Sequence, residues 1–194
     1  MSGRPKIFNE EEILDKAIEV FWKNGYEASS TEILLDAMGI GKSSFYLAFK
    51  GGKRELFEKA LERRSDLSMG KLQRELDESE NKIEFLKSFF MEVLDPSSKR
   101  FLNGCLMGNS IAELANIDLE LKTKASSLLL RLEKVFATAL KEAKKDGTLK
   151  AKENPELLAK YLLTVWNGLN ISIRVYPDPK LLKPIVEKQL QVLE

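Results

Sequence analysis

Apolar residues recur every three or four positions along most of the chain, which is the period of amphipathic helices. In the first such stretch Asn9 and Glu12 form the Asn variant of a capping box, and Asn24-Gly25 is a signal that stops a helix. The apolar face between these signals is formed by Ile13, Leu14, Ala17, Ile18, Phe21 and Trp22. The pattern therefore predicts a first helix that packs one face into a core.

Two short helices separated by a tight turn are predicted next. Ser29 and Ser30 offer hydroxyl caps for a helix of about two turns. This helix ends at Met38, because Gly39 favours a left-handed stop. The following helix must then begin near Lys42.

The third helix has an inward and an outward face. Phe45 and Phe49 are four residues apart and are predicted to point into the core. The outward face consists of Lys42, Ser43, Ser44, Tyr46 and Leu47. Small and hydrogen-bonding side chains at the start of a short helix suit the major groove of DNA. The segment is predicted to be a helix-turn-helix, and the alternative is a plain pair of helices in a bundle.

Positive charge is concentrated around the third helix. No acid lies between Asp36 and Glu55, in a chain whose formal net charge is only +1. The basic residues of this stretch are Lys42, Lys50, Lys53 and Arg54. Gly51 and Gly52 stand at a predicted helix start, so free backbone N–H groups and two cations could converge on one phosphate. The alternative is an ordinary solvated face.

At the amino terminus Arg4 and Lys6 flank Pro5. An arm of this kind could cross a phosphate or enter the minor groove, and the alternative is a frayed tail.

These residues resemble the DNA-binding domain of the TetR family of bacterial transcriptional regulators, over roughly the first 60 residues. The matching positions are Gly25-Tyr26, Ser29-Ser30, Ala37-Met38-Gly39-Ile40, Lys42, Ser44-Phe45-Tyr46, Phe49, Lys53 and Leu56-Phe57. The resemblance implies a three-helix domain, a dimer that reads a palindromic operator, and a repressor released by a small molecule.

The base-reading surface departs from the family pattern. Gly41 stands where the family often has Ser or Thr, and Leu47 and Ala48 stand where polar residues are common. Leu47 could contact a thymine methyl group or pack on a neighbour. The link from residue 50 to residue 53 is one residue longer than the common form.

Six further helices are predicted, which makes about nine in an all-α chain. They cover residues 53–76, 83–94, 104–115, 118–145, 156–175 and 181–193. We expect a helix-turn-helix DNA-binding domain over 1–52 and a helical effector-binding and dimerisation domain over 53–194.

Composition argues against an enzyme. With no His and one Cys among 194 residues, Ser-His-Asp and Cys-His nucleophilic sites, His-containing zinc sites and internal disulfides are excluded. Paired carboxylates such as Glu75 with Glu78 lie among basic residues, where solvation is the ordinary explanation. No cofactor, metal or membrane span is expected, and the predicted location is the cytoplasm.

The last two helices are the candidates for dimerisation. The helix over 156–175 is apolar on more than one face, which one helix in a small domain rarely buries alone. The family pairs its two carboxy-terminal helices with their copies, and the resemblance implies the same arrangement here. The alternative is that both helices complete a monomeric core.

The resemblance also implies an effector pocket in the second domain. The candidate contacts are Phe89, Phe90, Met107, Asn109, Ser110, Phe136, Trp166 and Asn170, each of which could instead be core or surface. This set favours a hydrophobic or amphipathic effector. A rival function is a helical small-molecule-binding protein that does not use its helix-turn-helix for DNA, since Leu47, Ala48 and the near-neutral charge weaken the case for DNA.

Cys105 is the single thiol and falls at the start of the sixth predicted helix. Backbone N–H groups there favour a thiolate, so Cys105 is a candidate sensor of oxidants or electrophiles. The alternative is a small buried hydrophobe.

Overall fold

A computed structural model describes residues 9–98 and 103–194. Within these residues the chain forms nine α-helices and two short 3-10 helices, without a β-strand. The α-helices are α1 (Glu10–Asn24), α2 (Thr31–Met38), α3 (Lys42–Ala48), α4 (Gly52–Glu78), α5 (Lys82–Met91), α6 (Leu106–Leu114), α7 (Leu119–Lys145), α8 (Pro155–Val175) and α9 (Pro179–Leu190). The 3-10 helices are Glu92–Leu94 and Gln191–Leu193. The predicted all-α fold is confirmed.

Side-chain caps fix where several helices begin. The side chain of Asn9 accepts a hydrogen bond from the Glu11 backbone N–H (3.0 Å), and that of Ser30 accepts one from Ile33 (3.3 Å). Asp178 does the same for Lys180 (3.0 Å), so α9 begins two residues earlier than predicted.

The amino-terminal helices share one core. The predicted apolar face of α1 is buried, and Phe21 contacts Phe57 of α4 edge to face at a centroid distance of 4.8 Å. Leu34, Phe45 and Phe49 are fully buried beside them. This core fixes the orientation of α3.

The second half is a helical bundle. Helix α7 packs against α6, α8, α4 and α5, and α4 also packs against α1. Helix α4 therefore joins the two halves physically. In the described part of the chain, no helix is both long and apolar enough to cross a membrane.

Candidate DNA-binding surface and effector cavity

The outward face of α3 is open to solvent. Lys42, Ser43, Tyr46 and Leu47 are exposed, Ser44 is half-buried, and 72% of the Leu47 side chain surface is accessible. Phe45 on the opposite face is fully buried and holds the helix in place. The structure therefore presents the residues of the predicted base-reading face together.

Two cations flank this helix. Lys50 is exposed at its end. Lys53 is half-buried, with its Nζ 4.3 Å from the centroid of the Tyr26 ring and 3.4 Å from the Glu27 carbonyl oxygen that accepts its hydrogen bond. Lys53 is thus anchored beside the loop between α1 and α2.

Ser29 is withdrawn from the predicted DNA contacts. Its side chain is fully buried, and its hydroxyl donates a hydrogen bond to the Gly25 carbonyl (2.5 Å), which closes the turn after α1. Ser30 remains exposed as the cap of α2. Arg4 and Lys6 lie outside the described residues.

The predicted phosphate site at the start of α4 needs a second correction. The Gly51 N–H donates to Glu55 Oε2 (2.8 Å), and the Gly52 N–H donates to the Phe49 carbonyl (2.8 Å). The Gly51 N–H is the main cause that lowers the pKa of Glu55 below its ordinary value. Because both amides are already paired, they are not free to bind a phosphate in this arrangement.

Arg54 is also engaged within the protein. Its guanidinium pairs with Asp118 and donates to Glu120 (2.7 Å), at the start of α7. The hydrogen bond to Asp118 raises the pKa of Arg54 above its ordinary value. Arg54 therefore connects the start of α4 to the second half of the chain, rather than standing free for a phosphate.

Hydrogen bonds attach both ends of α6 to the amino-terminal domain. The Trp22 ring N–H donates to the Gly104 carbonyl (3.0 Å) just before α6, in a buried contact. Near the end of α6, Glu113 accepts hydrogen bonds from the backbone N–H groups of Tyr26 (2.9 Å) and Glu27 (2.8 Å).

Glu113 can approach the backbone of this loop because residue 25 is a glycine and has no Cβ. A Cβ at residue 25 would lie 2.8 Å from Glu113 Oε2, and the backbone there has a φ of +83°. Any movement of α6 therefore acts directly on the loop that leads into α2.

Four of the predicted effector residues pack on one another. Phe89 stacks on Trp166 at a centroid distance of 5.1 Å, and Phe90 contacts Phe136 at 5.7 Å. Phe90 and Phe136 are fully buried. We therefore assign Phe89, Phe90 and Phe136 to the core and withdraw them as effector contacts.

Two cavities meet at Cys105. A small one, of about 40 Å³, includes Arg64, Met107 and Trp166 in its wall, and a larger one, of about 250 Å³, lies between α6 and α8. The larger cavity is lined by Cys105, Gly108, Asn109, Ile111, Ala112, Leu129, Asn167, Asn170 and Ile171. Of the predicted effector residues, Asn109 and Asn170 lie in the larger wall.

Ser110 lies on the other side of α6. Together with Asn109 and Glu113 it lines a cavity of about 280 Å³ that faces α1. Its hydroxyl donates to the Leu106 carbonyl of its own helix (2.8 Å) and is buried.

A wider groove of about 570 Å³ runs between α1 and α4. Its wall is mostly charged, with Lys59 paired to Glu10 (2.9 Å) and Arg63 paired to Asp15 (2.7 Å) beside it. The hydrogen bond from Arg63 lowers the pKa of Asp15. These pairs connect α1 to α4, so the groove is a less suitable place for an apolar effector than the cavity at Cys105.

Comparison with known proteins identifies the family. Residues 13–60 match the model of the "Bacterial regulatory proteins, tetR family", and residues 83–187 match that of the "Tetracyclin repressor-like, C-terminal domain". The chain belongs to the TetR family. It is thus a DNA-binding transcriptional regulator, with a C-terminal domain for effector binding and dimerisation.

Several TetR-family relatives align over most of this chain. The HTH-type transcriptional repressor ComR of Escherichia coli is 29% identical over 89% of this chain and 82% of its own length. The uncharacterised HTH-type regulator YezE of Bacillus subtilis is 30% identical, over 99% of this chain and 100% of its own. The TetR-family regulator CifR, solved with a 26-bp operator duplex, is 28% identical with a TM-score of 0.84, over 98% of this chain and 100% of its own.

Two cavity residues of this TetR-family chain were missed by the sequence analysis. Arg64 lies over the Trp22 ring, 4.4 Å from its centroid, and burial lowers the pKa of Arg64. Arg64 lies in a charged stretch of α4, so its sequence context did not indicate a buried position. Gly108 could have been noticed from the sequence, because it is a glycine in the interior of a predicted helix, where glycine is unfavourable.

The TetR-family dimerisation helices carry an exposed apolar stripe. On α8 it consists of Leu157, Tyr161, Ile171 and Val175, and on α9 of Leu181 and Ile185. Such an array on two neighbouring helices is typical of a protein interface.

Proposed function

We propose that the protein is a homodimeric repressor that binds a palindromic operator and is released by a small hydrophobic or amphipathic effector. The observation that carries the proposal is the exposed face of α3, free of acids and flanked by Lys50 and Lys53. In this proposal Lys42, Ser43, Ser44, Tyr46 and Leu47 enter the major groove. Ser30, Lys50 and Lys53 contact phosphates, with Arg4 and Lys6 as an arm.

The similarity to relatives supports repression. ComR is named a repressor, and CifR was solved on operator DNA. The apolar stripe on α8 and α9 supports a dimer through these two helices, because a palindrome is read by a two-fold symmetric protein.

We take residue 53 as the start of the effector-binding domain. We also infer a cytoplasmic location and no enzymatic activity, since the family consists of transcriptional regulators.

Release is proposed to pass through α6. This helix lines the cavity at Cys105 with one face, and holds the backbone of Tyr26 and Glu27 through Glu113. An effector that moves α6 therefore shifts the helix-turn-helix relative to the helix-turn-helix of the other subunit. Because the two recognition helices must enter successive major grooves roughly 34 Å apart, a shift of a few ångströms weakens both half-sites together.

Lys50→Ala and Lys53→Ala are each expected to weaken binding to duplex DNA and to reduce its salt dependence. Each phosphate contact releases counterions and contributes about 0.9 to the slope of log K against log salt, so each substitution lowers the slope by about 1. Fluorescence anisotropy over a series of salt concentrations measures the slope. Lys134→Ala, which removes an exposed cation from α7, is the matched control. Slopes equal to that of the control would contradict phosphate contact and favour the rival ligand-binding function.

Cys105 is proposed to report on electrophiles that enter the effector cavity. It is half-buried and lines both cavities that meet beside α6. We expect a small maleimide to label it in the native protein and to lower operator affinity about tenfold or more, because the adduct occupies the cavity. Mass spectrometry and anisotropy measure the two effects, with Cys105→Ser as the control. A native thiol that resists labelling would contradict the sensor role.

A further inference from the structure

Helix α3 carries a large apolar side chain that its own domain leaves uncovered. Leu47 is largely exposed and is not part of the hydrophobic core formed by the described residues. Phe45 and Phe49, on the opposite face of the helix, are fully buried. Because α3 cannot rotate to bury Leu47 without withdrawing these rings from the core, the structure excludes the alternative that Leu47 packs on a neighbour within the domain.

The charges around Leu47 indicate what kind of partner covers it. Lys42 and Lys50, at the two ends of α3, are exposed, and no acid lies between Asp36 and Glu55 in the sequence. An apolar side chain in a basic, acid-free surface complements a duplex, whose phosphates are negative on both sides of the groove. Its apolar partner must therefore lie on the edges of the bases.

The polar side chains of α3 limit which base edges it can read by hydrogen bonds. In the major groove, Asn or Gln pairs with adenine, Asp or Glu with cytosine, and Arg or Lys with guanine. The exposed residues of α3 are Lys42, Ser43, Tyr46 and Leu47, so this face has no amide, no acid and a single cation. Base discrimination by α3 therefore depends on apolar contact more than it does in a helix with such side chains.

Thymine is the base that offers an apolar contact. Among the unmodified bases, it alone presents a methyl group in the major groove, at C5. We propose that Leu47 reads a thymine in each half-site of the operator by covering this methyl group. The contact removes apolar surface of both partners from water. This inference rests on the proposed function in that it takes α3 as the helix that enters the major groove.

Replacement of thymine by uracil tests the contact, because uracil keeps the hydrogen-bonding groups of thymine and lacks only the methyl. The probe is the palindrome most enriched from a random duplex pool, with each thymine replaced in turn by deoxyuridine. At one position of the half-site we expect the wild type to bind about fourfold more weakly, the effect of one buried methyl group. Replacement in both half-sites should weaken binding about sixteenfold, since the dimer makes the contact twice. Fluorescence anisotropy measures the affinities.

Leu47→Ala is expected to bind the thymine operator more weakly and to erase the effect of uracil at that position. The pair of changes forms a double-mutant cycle, which isolates the contact between side chain and methyl. Because Leu47 is largely exposed, the variant should unfold at the temperature of the wild type. Tyr46→Phe, which changes the neighbouring exposed residue of the same helix, is the matched control and should keep the effect of uracil.

Equal affinities of the wild type for thymine and uracil at every position of the half-site would overturn the proposal. A uracil effect that Leu47→Ala retains in full would also overturn it. Both results leave the proposed function intact, because an operator has then been enriched and is bound. A pool from which no sequence is enriched counts against the proposed function itself and overturns this inference with it, so the two failures are distinguishable.

Discussion

Leu47→Glu is expected to bind the operator at least about a hundredfold more weakly than the wild type. The side chain is 72% exposed on the outward face of α3, where the account places the major groove. A carboxylate there faces phosphates and base acceptors without a partner, and like-charge contact costs several kcal/mol. The free energy of unfolding should change by no more than about 0.5 kcal/mol, because the position makes few contacts.

The measurement is an anisotropy titration of a labelled operator, paired with thermal unfolding. Leu119→Glu is a close control, since Leu119 is the same residue type, 69% exposed, at the start of α7. It should bind DNA as the wild type does. If Leu47→Glu also keeps wild-type affinity, α3 does not lie in the major groove, and the result favours the rival ligand-binding function.

Gly108→Leu is expected to slow the labelling of Cys105 by maleimide at least about tenfold, and Gly108→Ala to slow it less. A Cβ at residue 108 would meet Cys105 Cβ at 3.6 Å and Asn167 Oδ1 at 3.9 Å, which are ordinary contacts. The larger side chain must then occupy the cavity itself. Gly108→Leu should therefore stay on the operator when maleimide is added.

Measurements of stability distinguish a side chain that fills the cavity from one that damages the fold. Gly108→Ala removes a glycine from the interior of α6 and should stabilise the fold by about 1 kcal/mol. Gly70→Ala, in the interior of α4 and clear of close backbone contacts, should give a similar gain without any change in the labelling of Cys105. Mass spectrometry of the labelled protein and thermal unfolding of the two alanine variants measure this. Unchanged labelling of Cys105 in Gly108→Leu would show that electrophiles do not reach the thiol through this cavity, and would contradict its role as the effector site.

Local signals made much of the fold predictable. Asn9 and Ser30 cap helices as expected, and Gly39 ends α2 with a φ of +70°. Caps and glycine stops act within a few residues, so the sequence contains their whole cause.

Contacts between distant parts of the chain were not predictable. Arg54 looked like a phosphate ligand because its partner Asp118 is 64 residues away. The aromatic residues Phe90 and Phe136 looked like pocket walls, because apolar character is the same for a filled core and for a cavity lining. Only packing distinguishes the two, and packing depends on which helices meet.

The most direct test of the account is a selection of bound fragments from a random duplex pool, with protein refolded to remove any retained effector. We expect an enriched palindrome whose half-sites are about one helical turn apart, bound by a dimer. Failure to enrich any sequence would contradict it and leave a ligand-binding protein that does not use its helix-turn-helix for DNA.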